Sequence, residues 1–149
     1  MTEVLNATRL TELLHAEIPL SAYMQVRVTE LDDQGIVLAA PFEPNRNIHG
    51  TGFAGSLYTL CVLAGWSQVT AYLDRRGLDG SVVAHKAEIT YSTPVTGELV
   101  ATSRLPEAAV LSEFERKFTA RGKARLPLTV HIGQAVSFRA DFIALANGH

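Results

Sequence analysis

Cysteine is almost absent. Cys61 is the single one among 149 residues, so no internal disulfide can form, which fits a reducing compartment. No charge of one sign prevails: 13 Lys and Arg against 15 Asp and Glu give a formal net charge of -2. That balance offers neither a general nucleic-acid surface nor an acidic tail. With aromatics at only 7%, no aromatic-basic platform for RNA stands out. Long apolar runs are missing too. The greasiest stretch, Leu57 to Trp66, ends at Ser67 and Gln68. It falls far short of the roughly 20 residues a membrane span needs. The N-terminus, M-T-E-V-L-N-A-T-R-L-T-E-L-L, lacks the basic start and apolar run of a signal peptide. No repeat, low-complexity tract, linker, metal-ligand spacing, dinucleotide fingerprint or P-loop occurs. These absences lead to the expectation of a cytoplasmic, soluble, single-domain protein over 1–149, with no cofactor, no metal, and no nucleic-acid or membrane partner.

What is present is a chain 47% hydrophobic and 19% charged, enough to bury a real core. Asn6 or Thr8 can cap a first helix with Leu10, Leu13 and Leu14 on one face, and Pro19 stops it. Met24, Val26 and Val28 then alternate with polar residues, as in a half-buried strand. Asp32 to Gly35 supply a turn into a second strand, Ile36 to Phe42. A helix from about Phe53 to Arg76 is apolar nearly all round, which demands enclosure by other structure, and Gly77 suits its end. Val83, His85, Ala87, Ile89 and Tyr91 share one face of a third strand. Leu99 to Ser103, Leu126 to Ile132 and Val136 to Phe142 alternate as three more, with Glu107 to Phe118 helical between the fourth and fifth. Pro127 argues that the fifth strand is an edge or carries a bulge. One apolar helix and about six strands make an α+β chain. A curved antiparallel sheet wrapped around the helix is the economical arrangement, and a two-layer sandwich is the alternative.

The stretch entering that helix, P-N-R-N-I-H-G-T-G-F-A-G-S-L-Y from Pro44 to Tyr58, resembles the hot-dog fold of acyl-CoA thioesterases. It is most similar to the thioesterase domain at the C-terminus of YiiD-type acetyltransferases, here expected in stand-alone form. A-E-I-T-Y-S-T-P-V-T-G-E-L, Ala87 to Leu99, resembles the strand-Pro-Gly-strand stretch common in hot-dog enzymes. The resemblance implies hydrolysis of acyl-CoA or acyl-carrier thioesters. It also implies an obligate homodimer with shared active sites, often a dimer of dimers, that is, a homotetramer. Phenylacetyl-CoA-type hot-dog thioesterases carry N-x-x-G-x-x-H-G-G with an Asp seven residues further. Asn47, Gly50 and Gly55 match that pattern. Phe53 stands in place of the His, Ala54 in place of the first Gly of the pair, and Val62 in place of the catalytic Asp.

Thioester hydrolysis needs a polarised carbonyl, an attacking water and a proton acceptor. A helix N-terminus offers unpaired N–H groups and the positive end of the helix dipole, which together can form an oxyanion hole. Gly52, Ala54, Gly55 and Ser56 are small enough to let a ligand approach, with the Gly55 N–H as the expected donor. Asn47 is the expected water ligand, with Asn45 a weaker candidate, against the commoner role of a turn Asn. Thr51 and Ser56 can hold water or cap the helix. His49 in the loop and His85 among apolar strand neighbours are candidate bases, against an exposed loop residue and a hydrogen-bonded core histidine. Glu88, on the strand face opposite His85, is expected to be solvated and can approach a site at a subunit boundary. Cys61, deep in the helix, is a poor nucleophile. Arg116, Lys117, Arg121, Lys123 and Arg125 form a basic cluster suited to coenzyme A phosphates or to a solvated helix end. The competing functional reading is an acyl-CoA or fatty-acyl binding module without turnover, favoured by Val62. A hot-dog dehydratase is a weaker third, because its acid is missing from this helix as well.

Overall fold

The computed structural model describes residues 4–147. Helix α1 (Ala7–Glu17) is capped by the Asn6 side chain, which accepts the Arg9 N–H. Pro19 ends α1, as expected, and also opens a short second helix, α2 (Pro19–Tyr23), because proline suits a first helical turn. That second helix delays the first strand. Strand β1 is Arg27–Leu31, not a strand from Met24, and it pairs with β2 (Gly35–Ala40). Then come α3 (Ala54–Arg75), β3 (Gly80–Tyr91), β4 (Leu99–Arg104), α4 (Ala108–Arg121), β5 (Lys123–Ile132) and β6 (Val136–Ala146). The six strands form one sheet in the order β1-β2-β4-β5-β6-β3, and every pairing is antiparallel.

Alternation of buried and exposed residues is strict along β4 and β5, so one face of the sheet is apolar. Helix α3 lies on that face and touches β2 through β6, the hot-dog arrangement. Leu60, Cys61, Ala64 and Val69 are fully buried against it. Gly65 lets helix and sheet close up: a Cβ there would drive into the ring of Phe142, itself fully buried. Among the described residues no helix is long and apolar enough to cross a membrane.

Two strands depart from their simple pattern. In β3 the pairing with β6 slips between Ala84 and Lys86, which face the consecutive residues Phe142 and Asp141. His85 is the extra residue of this bulge. Upstream of it, Val82 is the buried position and Val83 is 47% exposed. Downstream, Ala87 and Ile89 pack against the core. The single-face reading of Val83 and His85 is therefore corrected. In β5, Pro127 sits in register opposite Asp141 of β6. On its other side, β4 reaches only His131 and Val130. Pro127 thus occupies a local edge inside an interior strand, where its missing N–H costs no ladder bond.

The far end of α3 is tied to α4. The Tyr72 hydroxyl donates to Glu115 at 2.7 Å, and the Arg76 guanidinium donates to the same carboxylate at 3.1 Å. The Tyr72 and Arg76 bonds hold the Glu115 carboxyl below its usual range, while burial, aided by Glu115, pushes the Tyr72 phenol up to about 12. A carboxyl with a depressed folded pKa adds stability above its unfolded value of about 4.3, and that stability is lost as pH falls through the folded value. The stability gap between wild type and Glu115→Gln should therefore narrow as urea denaturation is repeated from about pH 6 down to about pH 3. A constant gap would remove the ionised carboxylate from the account. In the core, Gly65→Ala should destabilise by about 1–3 kcal/mol in the same assay through overpacking against Phe142, and an unchanged midpoint would contradict that close approach.

Candidate active site

Between β2 and α3 the chain makes a short 3-10 turn, Glu43–Asn45, and then a loop anchored at both ends. Asn45 is 1% exposed, and its side-chain amide donates to the carbonyls of Met24 at 3.0 Å and Pro41 at 2.8 Å. Its own carbonyl accepts the Phe53 N–H at 2.8 Å. Asn45 is thus buried as a strut under the loop, not set in its open face. Asn47 organises the tip. Its Oδ1 accepts the N–H of His49 at 2.8 Å and of Thr51 at 3.1 Å, and its Nδ2 donates to Thr51 Oγ1 at 2.8 Å. This is an Asx turn. Gly50 closes it at φ 76, a left-handed conformation that glycine adopts without strain.

The loop then crosses the segment after β3. The Gly52 N–H donates to the Val95 carbonyl at 2.7 Å. Phe53 follows in extended conformation and α3 begins, with no side chain capping it. Its first intrahelical bond runs from the Leu57 N–H to the Phe53 carbonyl at 3.0 Å. The N–H groups of Ala54, Gly55 and Ser56 precede that bond, so the positive end of the longest helix stays open. The Tyr91 hydroxyl donates to the Ala54 carbonyl at 3.0 Å and holds this first turn against β3. Burial, with smaller contributions from Cys61 and Tyr58, raises the Tyr91 pKa, so it remains a donor at neutral pH.

These elements enclose a cavity of about 320 Å³. Asn47, Thr51, Gly52 and Ala54 line one side, and Leu57 lies beneath. Residues 91–95, Tyr91 to Val95, form the opposite wall. That wall belongs to the strand-Pro-Gly stretch, but no residue pattern within it marks it as a site. Its position follows from the register of β3 with β6, a pairing of distant segments.

Asn47, Thr51 and Ala54 line the cavity together, whereas Gly55 and Ser56, in the same first turn of α3, are not among its lining residues. The Phe53 ring lies over Gly55, so a Cβ at Gly55 would strike it, and Phe53 remains 53% exposed. His49 is exposed on the loop tip. His85 is not a core histidine: the β3 bulge turns it out to solvent, and it does not line the cavity. Glu88 is exposed, as expected. Cys61 is fully buried and its thiol is pushed up to about 12, so it carries no thiolate at neutral pH. Among the described residues no carboxylate or imidazole lines the cavity. Among the described residues no group of three or more His, Cys, Asp or Glu side chains gathers to hold a metal.

An open helix start behind a glycine-bearing loop, on a sheet of this topology, defines a thioesterase-type hot-dog domain. The family model described as "Putative thioesterase (yiiD_Cterm)" matches residues 7–146, and the chain belongs to that family. A protein of unknown function from Chlorobaculum tepidum superposes with a TM-score of 0.91 at 27% identity, over 97% of this chain and 99% of that one. A putative thioesterase from Shewanella oneidensis does so at 0.79 and 29%, over 93% and 96%. The E. coli PaaI protein from the phenylacetic acid degradation operon shares the fold at TM-score 0.64 and 14% identity, over 95% and 94%.

The Asx turn sets a test of its own. Asn47→Ala removes the one oxygen that accepts both N–H bonds, and a donor, so amide exchange at His49 and Thr51 should accelerate by about tenfold or more. Asn47→Asp keeps an oxygen that can accept both bonds and should stay near wild type. Equal exchange in all three proteins would show that Asn47 does not order the loop.

Proposed function

We propose that the cavity hydrolyses an acyl thioester of coenzyme A or of a carrier protein. The observation that carries this reading is the uncapped start of α3 opening on the cavity. A thioester carbonyl seated there meets the Gly55 N–H, flanked by Ala54 and Ser56, and the developing oxyanion is stabilised by groups already in place. Asn47 borders the same space and can hold the attacking water, although an amide takes no proton. The proton acceptor comes from outside this protomer's cavity lining.

A second copy of the chain is the natural source. Strand β3 is the longest strand and lies at the edge of the sheet. A long unprotected edge invites antiparallel pairing with another copy. Beside it, Phe53 just before α3 and Tyr58 within α3 are 53% and 37% exposed, and Val62 and Trp66 are only partly buried. Within one copy the helix is thus enclosed except for a partly open stripe through Tyr58, Val62 and Trp66. Pairing β3 with its copy buries that flank and makes the cavity a shared site.

The alternative, an acyl-binding module without turnover, is favoured by Val62 in place of the helix acid and by the absence of a base in the cavity lining. Free-thiol release from short, long and aromatic acyl-CoAs separates the two. Hydrolysis should be measurable, and Asn47→Ala should lower kcat. In a Phe53→Ala background, which makes room beside residue 55, Gly55→Pro deletes one N–H and should cost about 10²-fold in kcat. Tight acyl-CoA binding without thiol release would establish the binding module. A solution mass of one 16.1 kDa chain would contradict the shared site.

A further inference from the structure

Two peptide groups at the start of α3 carry one hydrogen bond more than helix geometry requires. In an α-helix each carbonyl accepts the N–H four residues further on. The Ala54 carbonyl accepts the Tyr91 hydroxyl as well, at 3.0 Å, and the Gly55 carbonyl accepts the Thr59 hydroxyl at 2.8 Å. The Thr59 bond is local and of a kind that threonines commonly make inside helices. The Tyr91 bond is not local. It joins positions 37 residues apart, and it is placed by the register of β3 with β6, in which Tyr91 pairs with Val136. The Phe53 carbonyl, one residue earlier, accepts the Leu57 N–H at 3.0 Å and no hydroxyl among the described residues.

A peptide group is conjugated, so its carbonyl and the N–H of the next residue respond together. A proton donated to the Ala54 oxygen draws electrons from the Gly55 nitrogen and makes the Gly55 N–H a stronger donor. The Thr59 hydroxyl does the same for the Ser56 N–H. Hydrogen bonds linked in a chain strengthen one another by about 10–30% each. Both bonds also fix the tilt of their peptide planes, so the N–H groups are aimed before a ligand arrives. Gly55 and Ser56 are among the N–H groups that α3 leaves open, at the end where Ala54 and Tyr91 line the cavity. The Ala54 N–H is open too, but its peptide group, which contains the Phe53 carbonyl, has no such hydroxyl behind it among the described residues.

We infer that Tyr91 and Thr59 are positioning residues of the proposed hydrolysis, which polarise and aim the Gly55 and Ser56 N–H groups through the carbonyls behind them. The inference rests on the hydrolase reading above, and it selects those two donors over Ala54. Losing an oxyanion donor costs about 10²–10³ in kcat, so weakening one by about 10–30% should cost about two- to eightfold. Tyr91→Phe and Thr59→Val each delete one hydroxyl and keep the side chain's shape. Each should lower kcat by that factor, with KM unchanged, for the acyl-CoA that the wild type cleaves fastest. Thr59→Ser should restore the rate. Backbone ¹⁵N–¹H spectra of the free proteins supply a readout that a purely structural tether would not move. In Tyr91→Phe the Gly55 amide resonance should shift upfield while Ser56 holds. In Thr59→Val the Ser56 resonance should shift while Gly55 holds. Both resonances moving together in each variant, or neither moving, would overturn the inference, as would a raised KM with kcat unchanged. The crossed pattern of shifts, with no thioester cleaved by any of these proteins including the wild type, would sink the hydrolase reading and leave the polarised helix start standing.

Discussion

The bond from the Phe53 N–H to the Asn45 carbonyl fixes the direction in which the chain leaves the loop and enters α3. It depends on Asn45 being held below by Met24 and Pro41, a buried amide joining three segments. With Phe53 committed to that bond in extended conformation, no side chain caps the helix, and its first-turn donors stay open. The same constraint presses Gly52 onto Val95 and Leu57, where a Cβ would come within 3.3 Å of each. Loop, helix start and cavity wall are therefore one construction. Loosening the Asn45 strut would disturb all three at once.

Much of this was legible in the residues. The apolar girth of Leu57 to Val69 required a central helix, and the two-residue period of Leu126 to Phe142 required a sheet beside it. The glycine-bearing junction was visible as a place where backbone donors could face a ligand. The strut role of Asn45 was not visible, because burial of an amide depends on segments distant in the chain. His85 misled for a related reason: one extra residue in β3 inverts the facing pattern, and a bulge leaves no composition signal. Tyr91 was read as a strand residue alone. Its bond to the Ala54 carbonyl exists only because the β3–β6 register carries it to the start of α3.

Three features of the chain bear on the proposed pairing with a second copy. The central helix keeps a partly open flank, β3 keeps an open edge, and the cavity has donors but no base. The proposed two-fold arrangement through β3 would cover the edge and the open stripe of the helix together. Chemistry and assembly are in that sense the same question for this chain.

The central claim is that the open first turn of α3 receives the substrate carbonyl. Backbone ¹⁵N–¹H spectra with a non-cleavable ketone analogue of an acyl-CoA thioester test it most directly. The account predicts that the Gly55 and Ser56 amide resonances move downfield as the carbonyl oxygen accepts their protons. Saturation by the analogue with those two resonances unmoved would contradict it.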